Sequence, residues 1–141
     1  MRRSTRFAVM GVFAIVGAIV FGACSNTVPT TATTTPTTVT ETFAGTLTPN
    51  GAQTFSFSVQ TAGTALATLA TLSPDSSTLV GLALGTWNGS ACQLVIANDA
   101  ATQGTTLIGT VSGAGTLCVR VYDAKGTLTS NEDFTVTVDH P

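Results

Sequence analysis

The sequence predicts an all-β domain, an antiparallel two-sheet β-sandwich of about eight strands, preceded by a signal segment and a disordered linker. Three observations carry this. Short runs rich in Thr, Val, Leu and Phe recur from residue 42 to residue 139, separated by Gly, Pro, Asn and Asp. Several of these runs alternate apolar and polar residues, the pattern of a strand with one face buried and one wet. No segment of that region spaces its apolar residues at a helical period. Residues 42–141 are therefore expected to form one sandwich-sized domain with little surplus stability.

The strands follow in order. "TFAGTL" (42–47) and "AQTFSFSV" (52–59) are separated by the turn signal "TPNG", and in the second Phe55, Phe57 and Val59 alternate with Thr54, Ser56 and Ser58. "TALATL" (64–69) follows "TAG", and "LVGLALGTW" (79–87) follows "SPDSS". "CQLVIAN" (92–98) follows "WNGS", "TTLIGTV" spans 105–111, and "TLCVRVYD" (116–123) follows "SGAG". "DFTVTVD" (133–139) closes the domain, with Phe134, Val136 and Val138 on one face. The expected core adds Ala65, Ala67, Leu69, Val80, Leu82, Leu84, Leu94, Ile96, Leu117, Val119 and Val121, and the small residues among them predict a thin core.

The N-terminal part is different in kind. "MRRSTRF" is a basic n-region, and the following "FAVMGVFAIVGAIVFGA" (7–23) runs 17 residues without a charge. Residues 1–23 read as a signal peptide, and an uncleaved transmembrane anchor is the alternative. "FGACS" (21–25) resembles the lipobox of bacterial lipoproteins, although Phe21 stands where that family usually has leucine or another aliphatic residue. The resemblance implies cleavage before Cys24, a diacylglycerol thioether on its sulfur and an acylated amine. Two or more acyl chains anchor stably where one does not. From Thr27 to Thr42 ten of sixteen residues are threonine, with Pro29 and Pro36 among the rest. Residues 24–41 thus read as the lipidated cysteine plus a Thr/Pro-rich linker, which if extended reaches up to ~50 Å. The expected location is exported and lipid-anchored, on the outer membrane or cell surface of a bacterium.

"FAGTLTPNGAQTFSFSVQTAGTALATL", with the later "GAGTLCVRVYD" and "DFTVTV", resembles the bacterial pre-peptidase C-terminal (PPC) domain. The resemblance implies a jelly-roll-like sandwich and a role in substrate or matrix binding beside exported enzymes. Unlike in that family, no attached enzyme is expected here, and the calcium-binding acidic cluster of some relatives has no counterpart among the scattered acids.

Charge narrows the partners. Beyond Cys24, Arg120 and Lys125 stand against seven carboxylates, a net charge of −5 that repels nucleic acid. The expected partners are the membrane, through the N-terminal lipid, and an envelope or extracellular protein or glycan. With Cys24 on lipid, Cys92 and Cys118 form an even pair, and export favours a disulfide between them over two buried thiols. Cys118 is out of phase with Leu117, Val119 and Val121, so the bridge is expected on an outer face or near a strand end. No catalytic, cofactor or metal site is expected. His140, the sole histidine, sits at a terminus expected to fray, and the serines have no base beside them. Asp123 and Asp133 are expected near one end of the sandwich as solvated neighbours rather than an acid/base pair. The expected function is a non-catalytic binding, adhesive or spacing module. The alternative is a carbohydrate-binding module that stacks sugars on Trp87 and Tyr122, whose ordinary role would be packing over a loop.

Overall fold

The computed structural model describes residues 37–141. The signal segment, Cys24 and the linker up to Pro36 lie outside the described residues. Eight strands follow one another: β1 (Val39–Leu47), β2 (Ala52–Val59), β3 (Gly63–Ser73), β4 (Val80–Trp87), β5 (Cys92–Ala101), β6 (Thr106–Val111), β7 (Gly115–Tyr122) and β8 (Glu132–His140). They form two antiparallel four-stranded sheets, sheet I in the order β1-β8-β3-β6 and sheet II in the order β2-β7-β4-β5. This is jelly-roll connectivity, in which successive strands pass from one sheet to the other until β4 and β5 pair as a hairpin.

Alternation sets which residues meet. Leu47, Leu69, Val136 and Val138 of sheet I and Val59, Leu82, Val119 and Val121 of sheet II are wholly or almost wholly buried between the sheets. On the β1/β2 side the space is filled by rings: Phe43 stacks on Phe55 at 5.1 Å, and Phe55 meets Phe134 edge-on at 6.2 Å. Aromatic pairs of this geometry contribute about 0.5–1.5 kcal/mol beyond their buried area. On the β5/β6 side the small residues Ala65 and Gly109 face each other across β3 and β6, and the sheets do not close fully there.

The outer face of sheet I is paved with threonine. Cross-strand register aligns Thr42, Thr137, Thr68 and Thr106 in one row through all four strands, and the Thr68 and Thr106 hydroxyls are 2.8 Å apart. Branched side chains suit a pleated surface, and such threonine pairs stabilise adjacent strands.

Several boundaries and burials differ from the sequence reading. β1 begins at Val39, three residues before the expected domain start, because Val39 and Thr40 pair with His140 and Asp139. β3 runs on to Ser73 through a bulge between Leu69 and Thr71. Leu94, expected in the core, is 43% exposed. A bulge shifts its register, so that Leu84 pairs with Ile96 but Gly85 with Leu94, and Leu94 leaves the inward phase. Ile96 and Leu117 are half-buried because they line the open side. His140 is not frayed: it is 2% exposed, its Nε2 lies 3.1 Å from Glu41 Oε1, and its ring packs 5.1 Å from that of Phe57.

Candidate functional site

The outer face of sheet II holds most of the side chains singled out in the sequence. Leu82 and Leu84 point into the core, so Gly81, Ala83, Gly85 and Trp87 of β4 take the outward phase, beside Tyr122, Arg120 and Cys118 of β7. The β4 residues are small because others lie over them. A Cβ on Gly81 would fall inside the Tyr122 ring, and one on Gly85 would collide with the Gln93 carbonyl. The backbone of β5 therefore crosses over the outer side of β4 at Gly85. That crossing brings Cys92 to Cys118, which is two strands away in the sheet order. The two form a disulfide with a Cα–Cα distance of 5.8 Å. Cys118 is fully buried yet lies outside the main core, on the outer face that its phase predicts.

Tyr122 reaches over Gly81 to donate its hydroxyl hydrogen to Asp99 Oδ1 on β5. Partial burial, then the hydrogen bond and charge of Asp99, push its pKa up to about 12, against a smaller opposing effect of Arg120. The Arg120 guanidinium carbon lies 5.5 Å from the ring centroid. The phenol is thus tied to its neighbours at both ring and hydroxyl. Trp87 is half-buried at the far end of β4, where it pairs with Cys92. Six residues separate it from Gly81, under Tyr122, or about 20 Å at the rise of a strand. The structure places the two aromatics on the outer face of sheet II, on neighbouring strands, but does not bring them together.

Asp123 and Asp133 both flank the turn between β1 and β2, and they have separate tasks. Burial raises the Asp123 carboxyl, but amide donors from Asn50, Thr127, Leu128 and Gly126 outweigh this and hold it below the usual range. Two of them, Asn50 and Thr127, lie at 2.9 and 3.1 Å. Asn50 takes a left-handed φ of 57°, which this side chain tolerates. Asp133 accepts a hydrogen bond from the Thr46 hydroxyl at 2.6 Å. Glu132, not singled out in the sequence, is 4% exposed, with its carboxylate oxygens 3.4 Å from the Asp75 amide and 3.5 Å from the Thr78 hydroxyl. Its inward phase, two residues before Phe134, was the available signal. Among the described residues no group of three His, Cys, Asp or Glu side chains could hold a metal ion.

Among the described residues, a concave apolar groove of about 400 Å³ lies between the β5 and β6 edges, lined by Ala65, Leu84, Val95, Ile96, Val111 and Leu117 among others. Apolar lining and this volume are typical of ligand sites. Of its lining, Val95 is 70% exposed, and Ile108, in the outward phase of β6, is 65% exposed. Sequence reasoning missed the groove, since it follows from the combination of Ala65, Gly109 and the β5 bulge. No protein-family model matches the sequence, and no curated protein matches it.

Proposed function

We infer that the protein is a lipid-anchored, non-catalytic module of a bacterial envelope that acts by binding, adhesion or spacing. "FGACS" and the threonine-rich linker support the anchor, and the jelly-roll order supports the PPC-like reading. The observation that carries the binding role is the position of the groove. The chain enters the domain at Val39 on β1, one edge of sheet I, while the groove lies at β6, the opposite edge. The groove thus lies on the edge of sheet I opposite the strand on which the described chain begins, open to a partner.

The test is metabolic labelling of the full chain with palmitate. Label is expected to enter the protein, and Cys24→Ser is expected to abolish both labelling and detergent partitioning. An unmodified chain that keeps residues 1–23 would replace the lipid anchor with a transmembrane one. The carbohydrate reading rests on the outer face shared by Trp87 and Tyr122, but the engaged ring of Tyr122 leaves Trp87 as the stacking surface. Glycan-array binding that disappears in Trp87→Ala would establish it.

A further inference from the structure

We propose that the β6 edge, with the groove beside it, is a homotypic docking surface: β6 pairs antiparallel with β6 of a second copy about a two-fold axis at Ile108. The proposal goes beyond the binding role and does not depend on the anchor. Natural sheets guard exposed edges with charge, proline, bulges or a covering segment. β6, "TLIGTV", has no charge and no proline, pairs with β3 without a bulge, and has no strand on its open side among the described residues. Such an edge is a template for another strand.

Two features select a second copy as the occupant. The first is self-complementarity. Antiparallel pairing centred on Ile108 sets Ile108 against its symmetry mate, and Thr106 of each copy against Thr110 of the other. These residues occupy the outward phase of β6. Apolar and threonine cross-strand pairs are the combinations that stabilise a sheet, and an isologous contact requires this kind of match. The second is charge. The domain is strongly acidic, so two copies repel over most orientations. β6 and the stretch of β5 from Cys92 to Asn98 have no charged residue, so like-charged molecules can approach along this side.

A two-fold axis perpendicular to sheet I also turns groove toward groove. Val95, on the groove lining of each copy, then faces the other across the axis, and Ile108 meets its mate on the outer face, which accounts for the exposure of both. Sheet I becomes an eight-stranded sheet with threonine rows continuing across the junction. The two β1 strands lie at its far ends, about 34 Å apart at the spacing of neighbouring strands. Six-residue edges fall short of the ~800 Å² per partner of a stable soluble dimer, so the association belongs to the transient class.

The full chain, purified in mild detergent, is examined by sedimentation up to about 1 mM, a range that reaches associations of the transient class. A concentration-dependent dimer is expected for the wild type. Ile108→Lys alone and Ile108→Glu alone are expected to be monomers with unchanged melting temperature, and an equal mixture of the two is expected to recover the dimer. In parallel, Ile108→Cys under mild oxidant is expected to give a linked dimer beyond the Cys24-derived background of wild type, and Thr42→Cys, on the opposite edge of sheet I, is not. A wild type monomeric throughout the range overturns the proposal. So does an Ile108→Lys chain that dimerises like wild type, a mixture that fails to recover, or equal linking at Thr42. Anchor failure is read separately, by palmitate labelling.

Discussion

Breaking the Cys92–Cys118 bridge offers a quantitative perturbation of this domain. The bridge closes a loop with a sequence separation of 26. On the chain-entropy relation, a loop of that length restricts the unfolded ensemble by about 3.5 kcal/mol at 25 °C. A domain of this size has an unfolding entropy of about 0.2 kcal/mol/K, so the loss corresponds to a fall in melting temperature of roughly 15 °C. Little offsets it in the folded state. Cys118 is fully buried and a thiol there behaves as a small hydrophobe, so reduction strands no strong polar group. The assay is far-UV circular dichroism through the melt, oxidised against fully reduced, the reduced sample having been unfolded and refolded in reductant to open the buried sulfur. Strand signal below the transition is expected to be the same in both. A difference below about 5 °C would refute the entropic account, and would show that β5 and β7 stay associated in the unfolded chain without the bond.

Three further outcomes are expected. Tyr122 is the single tyrosine, so ultraviolet titration reads it alone: ionisation is expected near 12, and Asp99→Asn or Gly81→Val is expected to move it toward 10. Because the folded phenol holds its proton above the unfolded value, its contribution to stability is complete below pH 10 and is lost as pH rises from 10 toward 12, which denaturant melts across that range check. Asp123→Ala leaves the Asn50, Thr127 and Leu128 amides without their acceptor and is expected to cost about 1–2 kcal/mol in chemical denaturation. The lowered Asp123 pKa places that carboxylate's stabilisation above the ordinary carboxylate range, to be lost as pH falls through the folded value. Gly109→Ala is expected to stabilise by about 1 kcal/mol, seen as a higher denaturation midpoint, since the added methyl would sit 3.5 Å from Ile96 and 3.6 Å from Leu84 and fill part of the groove.

All eight strands were legible because their signal is local: alternation such as Phe55-Ser56-Phe57-Ser58-Val59, and turn residues at regular intervals. What escaped depends on contacts between distant parts of the chain. Leu94 keeps its apparent phase in sequence, and only pairing with β4 reveals the bulge that turns it out. His140 looks terminal until β1 pairs with β8 and sets Glu41 against it. The glycines of "LVGLALG" give no local sign of what they do in the strand. They are the floor that admits the Tyr122 ring and the crossing β5 backbone, neither of which is local in sequence. The Cys92–Cys118 pairing followed from cysteine parity and the expectation of export, whereas its route over an intervening strand did not.

That route also governs how the domain responds to a pull. From Cys92 the chain runs along β5 in sheet II, over to β6 in sheet I, and back along β7 to Cys118, so the covalent ring passes through both layers. A load that enters at Val39 peels β1 from β8 first, since β1 is an edge strand. The ring lies at the other side of the sandwich and cannot extend. Fully stretched, the oxidised domain is about 80 Å shorter than the reduced one, from 26 residues of contour replaced by a 5.8 Å link. A domain stretched under tension keeps β5, β6 and β7 bound in one closed loop, from which the remaining strands can re-pair when the load falls.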